Sequence, residues 1–384
     1  MNRKHINIFH FLLDPRIGGP HVFARTIADA LTPEIVSTMV TAGKSSFADI
    51  GLVNLRHVWR PLYLFEVMIN VVLISVLCLR RGAGNKPSLF DVHGAANLAP
   101  LIAARLARIP VVWHFHETEP SFRILVRMGK RFLVPGRFKM VAVAEAVARF
   151  YELEDCAILN PPVDTSYWNH RPTGVDEGEK KFTILTVGNI GPVKGHTYLL
   201  DALEDLGDEE GWHAVIVGAP LSNHGDYYAE LLARAGDLMK KLISCTVELA
   251  GWKGSNEVAN CLQDSDVFVL PSIAEGCPIS LLEAMAMRRV CVAADVGGVR
   301  DVITDGSSGF IFPPRDSTAL AAALRKVRGL SMDERAQIGN RARESVEGRC
   351  SVKSVAAGHL DLYRRLFSLT EPAQPCAQLS HNRS

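Results

Sequence analysis

No two of the eight cysteines, at positions 78, 156, 245, 261, 277, 291, 350 and 376, form a C-x-x-C pair. That pattern suggests neither a zinc site nor a disulfide framework, and a reducing compartment is expected. Net charge is nearly absent as well: 42 Lys and Arg against 41 Asp and Glu leave +1. So balanced a chain gives no reason to expect nucleic acid as a partner. The start, Met1-Asn2-Arg3-Lys4-His5, runs into a strand-like stretch without the apolar core and cleavage site of a secretion signal, so a cytoplasmic location is expected. G-x-G-x-x-G is missing from the first strand-to-helix turn, which weakens a nicotinamide reading.

Long apolar runs are scarce too. Leu62 to Leu79 has Glu66, Asn70 and Ser75 as its clear polar interruptions and is followed by Arg80 and Arg81. At about 18 residues it is at the short end of a membrane span. Glu66 and Asn70 share one helical face, so a buried or partly membrane-dipping helix is expected instead.

What is present in quantity is apolar alternation. With 384 residues, 48% of them hydrophobic, the chain has material for two cores. Strands at His5–Phe11, Ile35–Thr41, Leu89–His93, Val111–His116, Met140–Ala144 and Ala157–Asn160 alternate with helices such as Pro20–Leu31 and Ala95–Arg108. A polar stretch from Asn160 through Lys181 reads as a linker. A second set follows at Phe182–Val187, Val215–Gly218, Val247–Ala250, Val267–Leu270, Val290–Ala293 and Gly309–Phe312. Continuous apolar strands between helices predict parallel sheets covered on both faces, hence two Rossmann-like α/β units with a cleft between them. The expected division is 1–163 and 164–351, with a helix at 352–369 and a disordered tail over 370–384.

The chemistry-bearing residues fall on strand-to-helix turns. Glu275 and Glu283 bracket Gly276-Cys277-Pro278-Ile279-Ser280, with a turn from Pro271 to Gly276 after a buried strand and a helix opening at Pro278. Such a helix start attracts phosphate, and two fixed carboxylates suit sugar hydroxyls. Gly18-Gly19 lies on the first turn, and Gly188-Asn189 to Lys194-Gly195 on another, where an ammonium could meet a leaving anion. His114 and His116 share a face near a strand end, with no third metal ligand evident nearby, and no metal is expected. His93 ends an earlier strand and is a lesser candidate. Arg123, Arg127, Lys130 and Arg131 form one helical face, followed by Arg137 and Lys139; it is either solvated or laid on anionic lipid.

Taken in order, these motifs resemble the Gly-Gly entry, the G-R-L-x-x-x-K-G turn, the E-x7-E segment and the G-G-x-x-E turn (here Gly297-Gly298 to Asp301) of retaining glycosyltransferases of family 4. The resemblance implies the GT-B fold, with the last helix crossing back to the first domain. It implies a nucleotide-diphosphate sugar as donor substrate and no cofactor. Glu275, His116 and Lys194 would be catalytic, with Gly18, Gly19, Asn189, Lys194, Gly276, Cys277, Pro278, Ile279, Ser280 and Glu283 around the donor. The acceptor would be a sugar or lipid-linked glycan, as in surface polysaccharide or glycolipid synthesis, with peripheral membrane contact through 62–81 and 121–139 at the inner face. Asn189 departs from the pattern, since it replaces an arginine and brings no positive charge. A nucleotide-sugar epimerase of the same architecture and a catalytically weak binding protein are the alternatives.

Overall fold

The computed structural model describes residues 6–12, 19–32, 34–43, 46, 48–53, 62–80, 88–169, 181–208, 211–221 and 223–368. The expected tail at 370–384, most of the polar linker and Gly18 lie outside the described residues. The first unit runs β1 (Ile6–Leu12), α1 (Gly19–Ala30), β2 (Ile35–Ala42), β3 (Ile50–Leu52), α2 (Leu62–Arg80), β4 (Ser88–His93), α3 (Leu98–Ala107), β5 (Val111–Phe115), α4 (Arg123–Lys130), β6 (Phe138–Ala142), α5 (Glu145–Phe150) and β7 (Cys156–Ile158). Its strands are parallel and ordered β3-β2-β1-β4-β5-β6-β7. Every residue of β4 and β5 is buried, as apolar runs covered on both faces require.

The second unit runs β8 (Phe182–Val187), α6 (His196–Leu206), β9 (Trp212–Val217), α7 (Gly225–Lys241), β10 (Thr246–Gly251), α8 (Ser255–Asp264), β11 (Val267–Leu270), α9 (Ile279–Ala286), β12 (Val290–Ala294), α10 (Val299–Val302), β13 (Phe310–Phe312), α11 (Ser317–Arg328) and α12 (Met332–Arg349). It is again parallel, ordered β10-β9-β8-β11-β12-β13. In each sheet the order reverses once, between β1 and β4 and between β8 and β11. Loops diverging at such a reversal open a crevice at the strands' carboxyl ends.

The last helix, α13 (Val352–Ser368), returns to the first unit. A backbone bridge marks the crossing, where Val163 N–H donates to Cys350 O at 2.7 Å and Val352 N–H to Val163 O at 3.2 Å. Farther along, α13 packs on α1 and its Tyr363 hydroxyl donates to Asp91 at 2.6 Å.

Two elements differ from expectation. β3 is too short to form an apolar run, and it exists by pairing with β2. α2 buries a mixed face and exposes an apolar one: Tyr63, Glu66, Val67, Asn70 and Ile74 are buried, while Leu64, Phe65, Met68 and Val72 are 58–67% exposed. The Asn70 amide explains the orientation, because it donates to Val53 O at 2.9 Å and accepts from Val53 N–H at 3.0 Å, tying the helix to the end of β3. Among the described residues no helix is long and apolar enough to cross a membrane.

Candidate active site

The crevice of the second sheet is built by the turns after β8 and β11. Gly195 takes φ 65°, and a methyl group there would sit 2.0 Å from the Pro271 carbonyl oxygen. Only glycine lets the two turns close to that distance. Ile273 N–H then donates to Val193 O at 2.8 Å, locking them together. On this platform the Lys194 ammonium donates to Glu275 Oε1 at 2.7 Å, and the Ser272 hydroxyl donates to the same oxygen at 2.7 Å. Glu275 therefore does not cap a helix, and Lys194 is not a free cation. The carboxylate is the more enclosed partner, its side chain 10% exposed against 32% for the lysine.

Pro278 is the N-cap of α9, so the helix proper opens at Ile279, one position later than the sequence suggests. Among the described residues no side chain caps α9 or α6; the first-turn N–H groups of α9 stay open to an anion, whereas at α6 the Tyr198 N–H already donates to Gly195 O at 2.9 Å. Ile279 and Ser280 are half-buried at this start, and Cys277 is buried, its thiol pushed well up by burial. Cys277 is thus a wall of the site. Glu283 lies in the fifth position of α9, half-buried, and burial pushes its carboxyl up to about 8 with no counter-charge among the described residues to offset it. Asn189 is exposed on the β8 turn.

The first unit meets this surface directly. A methyl group on Gly276 would lie 1.9 Å from His116 O, and one on Gly19 would lie 3.6 Å from Ile279 Cδ1. Asp301 reaches across as well, accepting from Glu145 N–H at 2.8 Å and so supplying the N-terminal acceptor that α5 lacks, since Ala144 is its N-cap. The structure thus gathers Lys194, Glu275, Gly276, Cys277, Pro278, Ile279, Ser280, His116 and Gly19 at one interface, with Glu283 a turn deeper along α9.

Behind His116 is a cluster that the sequence reading missed. His93, a lesser candidate there, has Nδ1 2.9 Å from His116 Nε2. His93, His114 and His116 each bring one ligand atom within 4.8 Å of the others, so a third histidine does lie beside the pair. Their rings stack at interplanar angles of 14–26°, however. Lone pairs in nearly parallel planes do not converge on one ion. Asp91, His10, His359 and Tyr363 complete the cluster. Alternation alone places Asp91 beside His93 on one face of β4, a polar pair in an apolar strand, and was the available signal.

The basic segment is largely engaged within the protein. Arg123 lies 4.3 Å over the Phe150 ring, Lys130 donates to Glu152 O at 2.8 Å, Arg137 donates to Arg108 O at 2.8 Å, and Lys139 pairs with Asp155. Arg127 and Arg131 remain exposed.

Comparison with known proteins agrees with this architecture. Residues 172–345 match the family described as Glycosyl transferases group 1. WcaL of Escherichia coli strain K12, named a colanic acid biosynthesis glycosyltransferase, is 40% identical over 323 residues, covering 77% of this chain and 75% of that one. An Escherichia coli UDP-Gal:alpha-D-GlcNAc-diphosphoundecaprenol alpha-1,3-galactosyltransferase is 26% identical over 253 residues, covering 59% of this chain and 62% of that enzyme. Anabaena HepE in complex with UDP aligns over 94% of this chain and 99% of its own, with a TM-score of 0.75 at 18% identity, which shows a shared fold. These relatives are named as transferases, and the epimerase alternative finds no support. The chain belongs to the group 1 glycosyl transferases and is a glycosyltransferase of GT-B fold.

Proposed function

We propose that the enzyme transfers a sugar, with retention, from a nucleotide-diphosphate sugar to an acceptor hydroxyl. The Lys194–Glu275 pair carries this reading, because it stands at the β8/β11 reversal, beside the open start of α9, and adjoins Gly276, which closes on the His116 carbonyl of the other lobe. The diphosphate lies on the first-turn amides of α9 and draws Lys194 toward itself. Glu275, relieved of its cation, accepts from hydroxyls of the donor sugar, and Glu283 accepts from the ribose. As the anomeric C–O bond to the diphosphate breaks, the acceptor oxygen bonds to that carbon on the same face. Its proton passes to the leaving diphosphate. Lys194 and the amides meet the charge that develops there, and no protein nucleophile is needed.

The complex of HepE with UDP supports a nucleotide as part of the donor. The names of WcaL and of the galactosyltransferase support a growing surface polysaccharide or a lipid-linked glycan as acceptor. Such an acceptor requires approach to the membrane at its inner face. The exposed apolar face of α2 supplies an apolar contact there, with Leu106 on α3 and Ile124 on α4, at 69% and 64% exposure, as further apolar groups and Arg127 and Arg131 for anionic headgroups. Sedimentation with vesicles of anionic and of neutral lipid tests this part, the expected result being anionic-lipid binding that Phe65→Glu with Met68→Glu abolishes.

Titration of nucleotide sugars into Glu283→Ala and Glu275→Ala tests the donor site. Glu283→Ala is expected to weaken donor binding and Glu275→Ala to lower turnover. Wild-type affinity and rate in both variants would refute the assignment.

A further inference from the structure

Adjacent strands of the first sheet put His10 on β1 opposite Asp91 on β4, and His93 on β4 opposite His114 on β5. All four are buried, and His116 continues the row to the cleft, where it is half-buried. α1 covers the row with Phe23, whose ring meets those of His93, His114 and His116 edge-on, and α13 covers it with His359 and Tyr363. One carboxylate serves the cluster. Asp91 accepts from the Tyr363 hydroxyl at 2.6 Å and faces His114 Nε2 at 2.6 Å and His10 Nδ1 at 3.0 Å. Neither approach is aligned as a hydrogen bond, yet an anion that close draws the ring proton of each imidazole to the facing nitrogen.

His93 turns Nε2 toward the same carboxylate, 3.6 Å away. A neutral imidazole carries a single N–H, and an anion on one side draws it to that side. His93 Nδ1 is then a lone pair, so His116 Nε2, 2.9 Å away, must be the donor. The one remaining polar atom of His116, Nδ1, is left as an acceptor. Burial, followed by the neighbouring imidazoles, keeps His116 well below the ordinary histidine range, and burial takes His93 down to about 4 despite Asp91, so both rings are neutral near pH 7.

We propose that Asp91 and His93 are positioning residues that fix His116 as its Nε2–H tautomer, so that the cleft is offered a hydrogen-bond acceptor suited to a sugar hydroxyl and unsuited to a phosphate oxygen. This rests on the reading that His116 contacts the donor sugar. Because Tyr363 on the crossing helix holds Asp91, the seating of α13 and the tautomer of His116 are linked. Serine or asparagine at 91 would leave the imidazole protons without an anion and the tautomers near balance.

Two-bond proton–nitrogen correlation of the histidine rings in the free, full-length enzyme tests this without knowledge of the donor, the His116 signals being identified by their loss in His116→Ala. The wild type is expected to show His116 protonated on Nε2 and bare on Nδ1. In His93→Phe the tautomers should mix and the ring should titrate nearer ~6.5, the unperturbed value. His93→Gln, whose carbonyl still accepts, should keep the wild-type tautomer. In transfer assays, kcat should fall about a hundredfold in the Phe variant and recover in the Gln variant. A wild-type His116 protonated on Nδ1, a tautomer unmoved by His93→Phe, or stoichiometric Zn²⁺ binding that shifts all three rings would overturn the proposal. Should His116→Ala instead keep wild-type kinetics while the wild-type ring is an Nε2–H tautomer, the donor contact fails and the positioning network stands.

Discussion

Lys194 and Glu275 lie 81 residues apart, on turns after two different strands, and meet at 2.7 Å where the order of the second sheet reverses. The pair sets opposite expectations for its two members. Glu275→Gln removes the anion that holds Lys194, so a nucleoside diphosphate should bind at least as tightly as to wild type while transfer slows. Calorimetric titration with UDP and GDP, beside a rate measurement, checks both halves; weaker diphosphate binding would count against the exchange of Lys194 between carboxylate and diphosphate.

Lys194→Ala should lower kcat by roughly 10²–10³-fold, the scale for loss of a group that stabilises charge in the transition state. Its effect on donor KM should be smaller. Steady-state kinetics over a range of donor concentrations separates the two, and a change confined to KM would assign Lys194 to ground-state binding alone.

Glu283 makes stability depend on pH. Burial raises its folded-state pKa from 4.5 to about 8, so between those values the unfolded chain releases the proton and the folded chain keeps it. Its influence on stability is nil below the lower value, grows more unfavourable as pH rises, and is complete above the upper one. Glu283→Gln should therefore match wild type near the lower limit and exceed it above the upper limit in urea denaturation. Nucleotide binding at neutral pH should also release a proton, because ribose hydroxyls favour the carboxylate. Titration in two buffers of different ionisation enthalpy measures that proton.

Gly276→Ala should separate the lobes locally, since a methyl group there would lie 1.9 Å from His116 O. A displacement of this kind commonly costs about 10²-fold in rate. Gly348→Ala is the control, having open space around the position. Equal activity of the two variants would show that the contact does not set the site's geometry.

Asp301→Ala removes the acceptor for Glu145 N–H and should destabilise the enzyme by about 1 kcal/mol, as loss of an N-cap does. Urea denaturation measures the change, and an unaltered midpoint would mean that water replaces the carboxylate.

Strands of the second sheet were legible because buried parallel strands leave continuous apolar runs: β8 and β11 have the bounds their residues suggest. Legible for the same reason was the order of the turns on which Lys194, Glu275 and His116 lie. The pairing of Lys194 with Glu275 was not, since it depends on Gly195 closing against Pro271 O, a tertiary contact without a local pattern. α2 shows the limit of periodicity most clearly. Glu66 and Asn70 share a face, as their spacing says, but which face turns inward is decided by Val53 and by the buried site of Tyr63, whose hydroxyl reaches Ala96 O. The Asp91 cluster escaped because it draws on β1, β4, β5 and α13, so no single segment carries more than a fragment of it.

The central claim is that a nucleotide-sugar donor occupies the β8/β11 crevice under α9. Thermal unfolding of wild type and Glu283→Ala across a panel of UDP-, GDP- and TDP-sugars tests it most directly, because a ligand selective for the folded state raises the midpoint. At least one nucleotide sugar should stabilise the wild type and lose most of that effect in the variant. Equal stabilisation of both proteins, or of neither by any member of the panel, would contradict the account.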